Sequence, residues 1–162
     1  MKLAEALIPE FEQEAATTRK TLERIPDGKM EWQPHTKSMS LGRLAHHVAE
    51  IPGWTTMTFD RDVLDMGDYK PPQVQTRAEI LAMFDKNVAD ARKALAEVSD
   101  EIAQGNWSLT GGGQTYFTMP KMAVIRTWVL NHSVHHRAQL GVYLRLLDIP
   151  VPGVYGPSAD EM

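Results

Sequence analysis

The chain has 162 residues, a net charge of −4 at pH 7 and no cysteine. Its length suffices for one domain with a buried core, and its acidic balance gives no basic surface of the kind that nucleic-acid-binding proteins present. The lack of cysteine excludes disulfide bonds, thiolate metal ligands and a cysteine nucleophile. Any metal must therefore be bound through nitrogen and oxygen atoms, and any thiol must come from a cosubstrate.

The sequence indicates a cytoplasmic protein with a single domain spanning residues 1–162. No apolar run approaches the length of a membrane span, and the N-terminus lacks the apolar core of a signal peptide. No internal repeat, linker or low-complexity stretch divides the chain. We therefore expect partners that are neither nucleic acids nor membranes.

The first half of the chain predicts two amphipathic helices, because apolar residues recur at steps of three and four. The first helix covers residues 3–25 and ends at Pro26. The second follows residues 38–40 and runs toward Val63. Pro52 cannot donate a hydrogen bond to the preceding turn, so this second helix should bend there.

The second half predicts two more helices. Thr76 and Glu79 have the spacing of a capping box, and a regular apolar stripe follows over residues 81–98. The fourth helix should begin near residues 118–120, where a proline in the first turn is tolerated. It should end near Leu147, before two closely spaced prolines.

Four long amphipathic helices and no convincing alternating strand pattern predict an all-α four-helix bundle. The predicted loops at residues 26–40 and 101–118 are longer than an up-and-down bundle needs, and segments of this length often build a site or cover an end of the bundle.

Residues 111–113 are glycines, but they lack the lysine and Ser/Thr of a phosphate-binding loop, so we interpret them as a turn. Two roles are open to Trp32, Trp54, Trp107 and Trp128, lining a pocket or packing in the core or at a cap, and packing is the favoured interpretation.

The fourth helix carries the strongest functional signal, a pair of histidines on its inward face. His132 and His136 are four residues apart, so their side chains share one face of the helix and can reach one metal ion. Apolar residues continue the same stripe on both sides of the pair. His135 lies about 100° around the helix from His136, nearer the surface. Two ligands make a weak site, so a third should come from another helix.

The second helix offers that third ligand. His47 falls between Leu44 and Ile51 on the apolar stripe, whereas His46 lies on the flank. The helical phase therefore favours His47 as the residue that faces the pair on the fourth helix.

Three neutral imidazoles from His47, His132 and His136 would form a nitrogen-only site with an open coordination position, for which zinc and nickel are the favoured cofactors. A water or a thiol bound there would have its pKa lowered toward neutrality. The alternative from the residues alone is that hydrogen bonds to backbone, Glu50 or Asn131 satisfy these rings. His35 follows a proline in a predicted loop and is not expected to bind metal.

Residues 41–50, 131–140 and 143–161 resemble the DinB-like family of bacterial metalloproteins. The resemblance implies a four-helix bundle in down-up-up-down order, usually as a homodimer. It also implies a metal-binding triad made of one histidine from the second helix and a pair from the last helix, which correspond to His47, His132 and His136.

The family's fold is more uniform than its chemistry. Relatives that use low-molecular-weight thiols imply a metal-dependent transferase acting on small electrophiles. A second hypothesis is a metal-dependent hydrolase, for which Glu50 is the one candidate acid or base. A third is a stress-related dimer with a structural or sensory metal and no enzymatic activity. The sequence assigns no catalytic residue beyond the predicted metal ligands.

Overall fold

Helices make up most of the structure, a computed structural model that describes residues 1–67, 70, 73 and 76–161. A π-helical segment, Ile125–Asn131, joins the last two α-helices into one continuous rod. In chain order the elements are α1 (Ile8–Leu22), α2 (Leu41–Glu50), α3 (Trp54–Asp60), β1 (Val63–Asp65), α4 (Arg77–Glu97), α5 (Asp100–Gln104), β2 (Asn106–Gly111), β3 (Gln114–Pro120), α6 (Lys121–Val124) and α7 (His132–Leu146).

The long helices pack around two neighbouring apolar clusters. Helices α1 and α2 each contact both α4 and α7, so the four form a closed ring. One cluster includes Phe11, Leu95 and Ile125, and the other includes Leu44 and Leu140. The predicted bundle of four helical units is therefore present. No helix in the described ranges is both long enough and apolar enough to cross a lipid bilayer.

The all-α prediction is wrong at the segment predicted as a long loop, residues 101–118. This segment contains α5 and most of a β-hairpin, in which β2 pairs antiparallel with β3 and parallel with β1. Gly112 and Gly113 both have positive φ angles, 57° and 77°. A two-residue turn of type I′ requires positive φ at both positions, and glycine adopts it without steric cost. The predicted turn is thus the tip of a hairpin.

Pro52 divides the predicted second helix into two. A 3₁₀ turn, Ile51–Gly53, separates α2 from α3, as expected where a proline removes a helical hydrogen bond. Val63, predicted near the end of this helix, lies in β1. The break leaves α2 short, with its C-terminal turn, including His47, next to the chain reversal into α3.

The remaining helix ends follow local rules. Thr76 and Glu79 form the predicted capping box at the start of α4, with the Thr76 N–H donating to Glu79 Oε2 at 2.8 Å. The last helix begins at Lys121, because residues 118–120 pair with β2 as the end of β3. The π-helical segment that follows could not be read from the periodicity, and it sets the rotation at which α7 begins.

Candidate metal centre

Three histidines predicted from helical phase lie together inside the bundle. One ring nitrogen from each of His47, His132 and His136 falls within 4.8 Å of the other two. His47 comes from the last turn of α2, and the other two lie on adjacent turns of α7. All three side chains are partly buried. Within the described residues, no carboxylate and no other histidine joins this group.

Hydrogen bonds orient two of the three rings. Nδ1 of His47 lies 2.6 Å from Oε1 of Glu50, and Nδ1 of His136 lies 2.7 Å from Oε1 of Gln139. Since an ionised carboxylate and an amide oxygen can only accept, both Nδ1 atoms carry the proton and donate it. Each Nε2 then presents a lone pair. This pattern, in which the second ring nitrogen is held by an oxygen acceptor, is typical of metal-binding histidines.

The spacing of the nitrogens suits a tetrahedral ion. The Nε2 atoms of His47 and His132 lie 3.0 Å apart. Two nitrogen ligands that are each about 2.0–2.1 Å from a zinc ion stand roughly 3.4 Å apart in tetrahedral geometry. Because two facing lone pairs repel, the space between the rings suits a proton or a cation. A metal ion would satisfy all three rings at once, and the residues present therefore fit the metal that the fold implies.

The surroundings of the triad favour the neutral form of His132 and His136. Burial, followed by the like charges on His136, His47 and His135, lowers the pKa of His132 from 6.5 to about 4. Burial also lowers the pKa of His136. Only a neutral imidazole has a lone pair available for a metal. At neutral pH these two rings are therefore already in the protonation state that metal binding requires.

We expect the metal-free protein to lose stability as the pH falls from 6.5 toward 4, the unfolded and folded pKa values of His132. Between these values the unfolded chain binds more protons than the folded chain, so acid favours unfolding. Partial exposure limits the contribution of this group to at most about 3 kcal/mol. Urea unfolding of chelator-treated protein across this range measures it. A matched series on His132→Gln should show a smaller pH slope, and identical slopes would contradict the assignment.

The other three histidines lie outside the triad. His35 is exposed, and its Nδ1 accepts a hydrogen bond from the Lys37 N–H at 3.1 Å. His135 is exposed beside the ring of His136, with ring centroids 4.7 Å apart. His46 is partly buried, 3.8 Å from Oε2 of Glu50. Helical phase set His46 and His135 apart from the predicted ligands, and His35 lies outside the helices, as predicted.

A pocket of about 580 Å³ opens beside the triad. Its walls come from α2, α3, the hairpin and the helix that begins at Lys121, and they include His47 and Glu50. Most of its lining is apolar, with Trp54, Met57, Leu64, Leu109, Phe117 and Trp128 among the contributing residues.

The triad is continuous with the aromatic wall of this pocket. The ring of His132 lies 5.3 Å from Trp54 and 5.7 Å from Trp128, centroid to centroid. Trp128 stacks on Phe117 from the hairpin at 5.2 Å with an interplanar angle of 9°. Lining a pocket is the less favoured role in the sequence interpretation of the tryptophans, yet Trp54, Trp107 and Trp128 have this role. No short-range signal marks it, because the rings meet only when the hairpin folds against the bundle.

Comparisons with known proteins agree with this architecture. The model of the DinB family matches residues 1–162. The chain is 26% identical over 153 residues to the uncharacterized protein YrdA of Bacillus subtilis (strain 168), covering 93% of this chain and 87% of that protein.

Two crystal structures share the fold. A DinB-like protein from Bacillus cereus ATCC 10987 superposes with a TM-score of 0.72 at 26% identity, covering 93% of this chain and 97% of that one. The DinB-like protein YjoA from Bacillus subtilis gives a TM-score of 0.69 at 15% identity, covering 97% and 99% of the two chains. At the lower identity the likeness concerns the fold alone.

Proposed function

Because the chain belongs to the DinB family, whose fold it shares, we propose that it binds a divalent metal ion through His47, His132 and His136. We further propose that it is a metal-dependent transferase that joins a low-molecular-weight thiol to a small electrophile. The observation that supports this most directly is a three-nitrogen site that adjoins a largely apolar pocket, which His47 lines, and that has no fourth ligand among the described side chains.

Zinc and nickel are the proposed metals. Neutral imidazole suits both, whereas manganese and magnesium prefer oxygen ligands, which this donor set lacks. An ion held by three imidazoles keeps a coordination position free and lowers the pKa of a thiol that binds there.

The chain's own residues would position the reactants. Glu50 and Gln139 hold the rings of His47 and His136 through their Nδ1 atoms. The wall formed by Trp54 and Trp128 keeps bulk water from one side of the triad. In the proposed reaction, the thiol sulfur loses its proton to solvent and forms a bond to the electrophilic carbon. The leaving group departs with the electrons of the broken bond.

A direct test incubates zinc-loaded and nickel-loaded protein with a panel of small bacterial thiols and alkyl or aryl halides. We expect conjugates to form faster than in a reaction without protein, as measured by mass spectrometry. The variant His132→Ala should give the uncatalysed rate. Conjugation at the background rate with every pair, by protein that is fully metal-loaded, would remove the transferase proposal.

The hydrolase hypothesis gains less support from the site. It needs Glu50 as a general acid or base, yet this carboxylate accepts a hydrogen bond from His47 at 2.6 Å. A role in positioning the metal ligand fits that contact better than proton transfer to a substrate.

Removal of the Glu50 carboxylate should therefore weaken metal binding. We expect Glu50→Ala to raise the dissociation constant for zinc by about 10–100-fold, the usual effect of losing a group that orients a metal-binding histidine. Competition with a fluorescent chelator measures this constant. Glu97→Ala, which removes an exposed carboxylate at the end of α4, should leave it unchanged. Equal affinities in the two variants would show that Glu50 does not hold the ring of His47.

We extend the proposal to a homodimer. Val142 and Leu146 are one turn apart on α7 and expose 58% and 57% of their surface, so they supply an apolar contact for a second copy. Analytical ultracentrifugation should give twice the monomer mass, and Val142→Glu should shift the protein toward the monomer. A monomer at micromolar concentration would contradict this part of the proposal. So would a dimer that is unaffected by the substitution.

A further inference from the structure

The side chain of Arg43, in the wall of the pocket, has no hydrogen-bond or ion-pair partner among the residues that the structure describes. Arg43 lines the pocket together with His47 and is partly buried. Its backbone N–H donates to Oγ of Ser40, but its side chain makes no hydrogen bond or ion pair with any residue in the ranges 1–67, 70, 73 and 76–161. A partly buried guanidinium without an acceptor is unfavourable, and a planar anion is the partner that its geometry fits.

The carboxylates of the pocket are occupied elsewhere. Glu50 accepts a hydrogen bond from His47. Asp65 is exposed and accepts a hydrogen bond from the Gly67 N–H at 2.7 Å. Among the described lining residues, Arg43 is therefore the side chain with a fixed positive charge that no carboxylate neutralises. His46 also lines the pocket and lies 3.8 Å from Oε2 of Glu50.

The position of Arg43 relates this charge to the triad. Arg43 and His47 are four residues apart on α2, so their side chains leave the same face of the helix with Cβ atoms about 5–6 Å apart. An anionic group bound at Arg43 would lie roughly one helical turn from the metal ligands. A small molecule can span that distance.

The aromatic residues that line the pocket favour a flat apolar ligand. Trp107, Phe117 and Trp128 follow one another with ring centroids 6.0 Å and 5.2 Å apart, and the last ring lies against His132. Aromatic surfaces of this kind bind planar rings by offset stacking and by excluding water.

From this arrangement we propose that the pocket binds a small aromatic carboxylate, with its carboxylate on the Arg43 guanidinium and its ring against the Trp107–Phe117–Trp128 wall. The inference rests on the proposed transferase function, for which it names the class of the electrophile: a carboxylate-bearing aromatic compound. The same carboxylate chemistry could instead belong to the thiol, and the experiment separates the two sources.

The test compares a charged probe with its neutral isostere. Isothermal titration calorimetry would measure the binding of 2-naphthoate and 2-naphthamide to the full chain, both zinc-loaded and metal-free. We expect naphthoate to bind about tenfold more tightly or better, because a charge-assisted hydrogen bond to a guanidinium is worth more than a neutral one. Arg43→Gln should remove this preference while leaving the affinity for naphthamide unchanged.

Two further variants make the result specific. Arg43→Lys should retain part of the preference, since it keeps the charge but loses the planar fork. Arg92→Gln removes the same charge from a 58% exposed side chain on α4. This variant should retain the full preference for naphthoate. Equal binding of the two probes to the wild type would overturn the proposal. An equal preference for naphthoate in the wild type and in Arg43→Gln would overturn it as well. If that equal preference occurred only in the zinc-loaded protein, the carboxylate would be bound by the metal.

The same comparison with N-acetylcysteine and its amide identifies the source of the carboxylate. We expect no preference that depends on Arg43 for this thiol pair. If only the thiol pair showed a preference that depends on Arg43, Arg43 would bind the carboxylate of the thiol cosubstrate. That result would refute an aromatic carboxylate as the ligand of Arg43. Because every readout is a binding constant, failure of the conjugation test would leave these results interpretable.

Discussion

His132→Ala should abolish high-affinity metal binding and leave a folded, helical protein. His132 lies against both other rings of the triad, with its Nε2 at 3.0 Å from Nε2 of His47 and its ring centroid 4.5 Å from that of His136. Its removal leaves two nitrogen ligands, too few for a stable site. We expect the zinc dissociation constant to rise by at least about a thousandfold, which corresponds to some 4 kcal/mol.

Elemental analysis of protein purified without an affinity tag measures the metal content, and circular dichroism checks the fold. His35→Ala is the matched control, because this histidine is exposed in a loop and hydrogen-bonded locally. It should change neither the metal content nor the spectrum. Normal metal content in the His132 variant would refute the assignment of the site.

Glu14→Ala should destabilise the protein more than the removal of any surface ion pair. Arg137 follows His136 on α7, and its side chain is only 3% exposed. Its Nη1 lies 2.6 Å from Oε2 of Glu14 on α1, and its Nη2 donates to the Tyr155 hydroxyl at 2.6 Å. Without Glu14, a buried positive charge loses its compensating carboxylate, which costs about 3–5 kcal/mol. For a chain of this length the melting temperature should fall by roughly 10 °C.

Another glutamate on α1, Glu12, provides the control. Glu12 pairs with Arg92 at 2.9 Å, but the side chains of this pair are 43% and 58% exposed. Glu12→Ala should therefore change the free energy of unfolding by less than about 1 kcal/mol. Urea unfolding of both variants, in the metal-free state, gives the comparison. Similar losses in the two variants would mean that burial adds nothing to the Glu14–Arg137 contact.

The Glu14 contact also reaches the C-terminal segment. The Tyr155 hydroxyl donates to the Glu14 carboxylate at 2.9 Å, and burial together with this hydrogen bond raises the pKa of Tyr155. The C-terminal segment is thus held against α1 by this polar contact. The sequence offered no sign of it, because Glu14 and Tyr155 lie at opposite ends of the chain.

Helical periodicity predicted more of the candidate site than of the overall architecture. The positions of His47, His132 and His136 follow from which residues share a helical face, a local property that four-residue spacing already determines. The capping box at Thr76 and the break at Pro52 are likewise local, since each depends on hydrogen bonds within one turn. These features were therefore predictable before any tertiary contact was known.

The hairpin illustrates a weaker signal. Trp107 and Leu109 point to the same side of β2 as their partners Met119 and Phe117 in β3. This alternation on either side of a Gly-Gly turn was present in the sequence. Each strand is short, however, and strand pairing depends on contacts between residues that are distant in the chain. The helical patterns on both sides of this segment were stronger than its strand pattern, so the segment was predicted as a loop between helices.

The sequence alone determined the protein's helical units, the three histidines on their inward faces and the exclusion of cysteine chemistry, because these depend on composition and on spacing within single helices. Only the tertiary structure decided how the hairpin packs on Trp128 beside the triad, and that Arg43 has no side-chain partner among the described residues. Those features arise where separate segments meet, and the free energy of such contacts depends on packing between elements rather than on the order of residues within one.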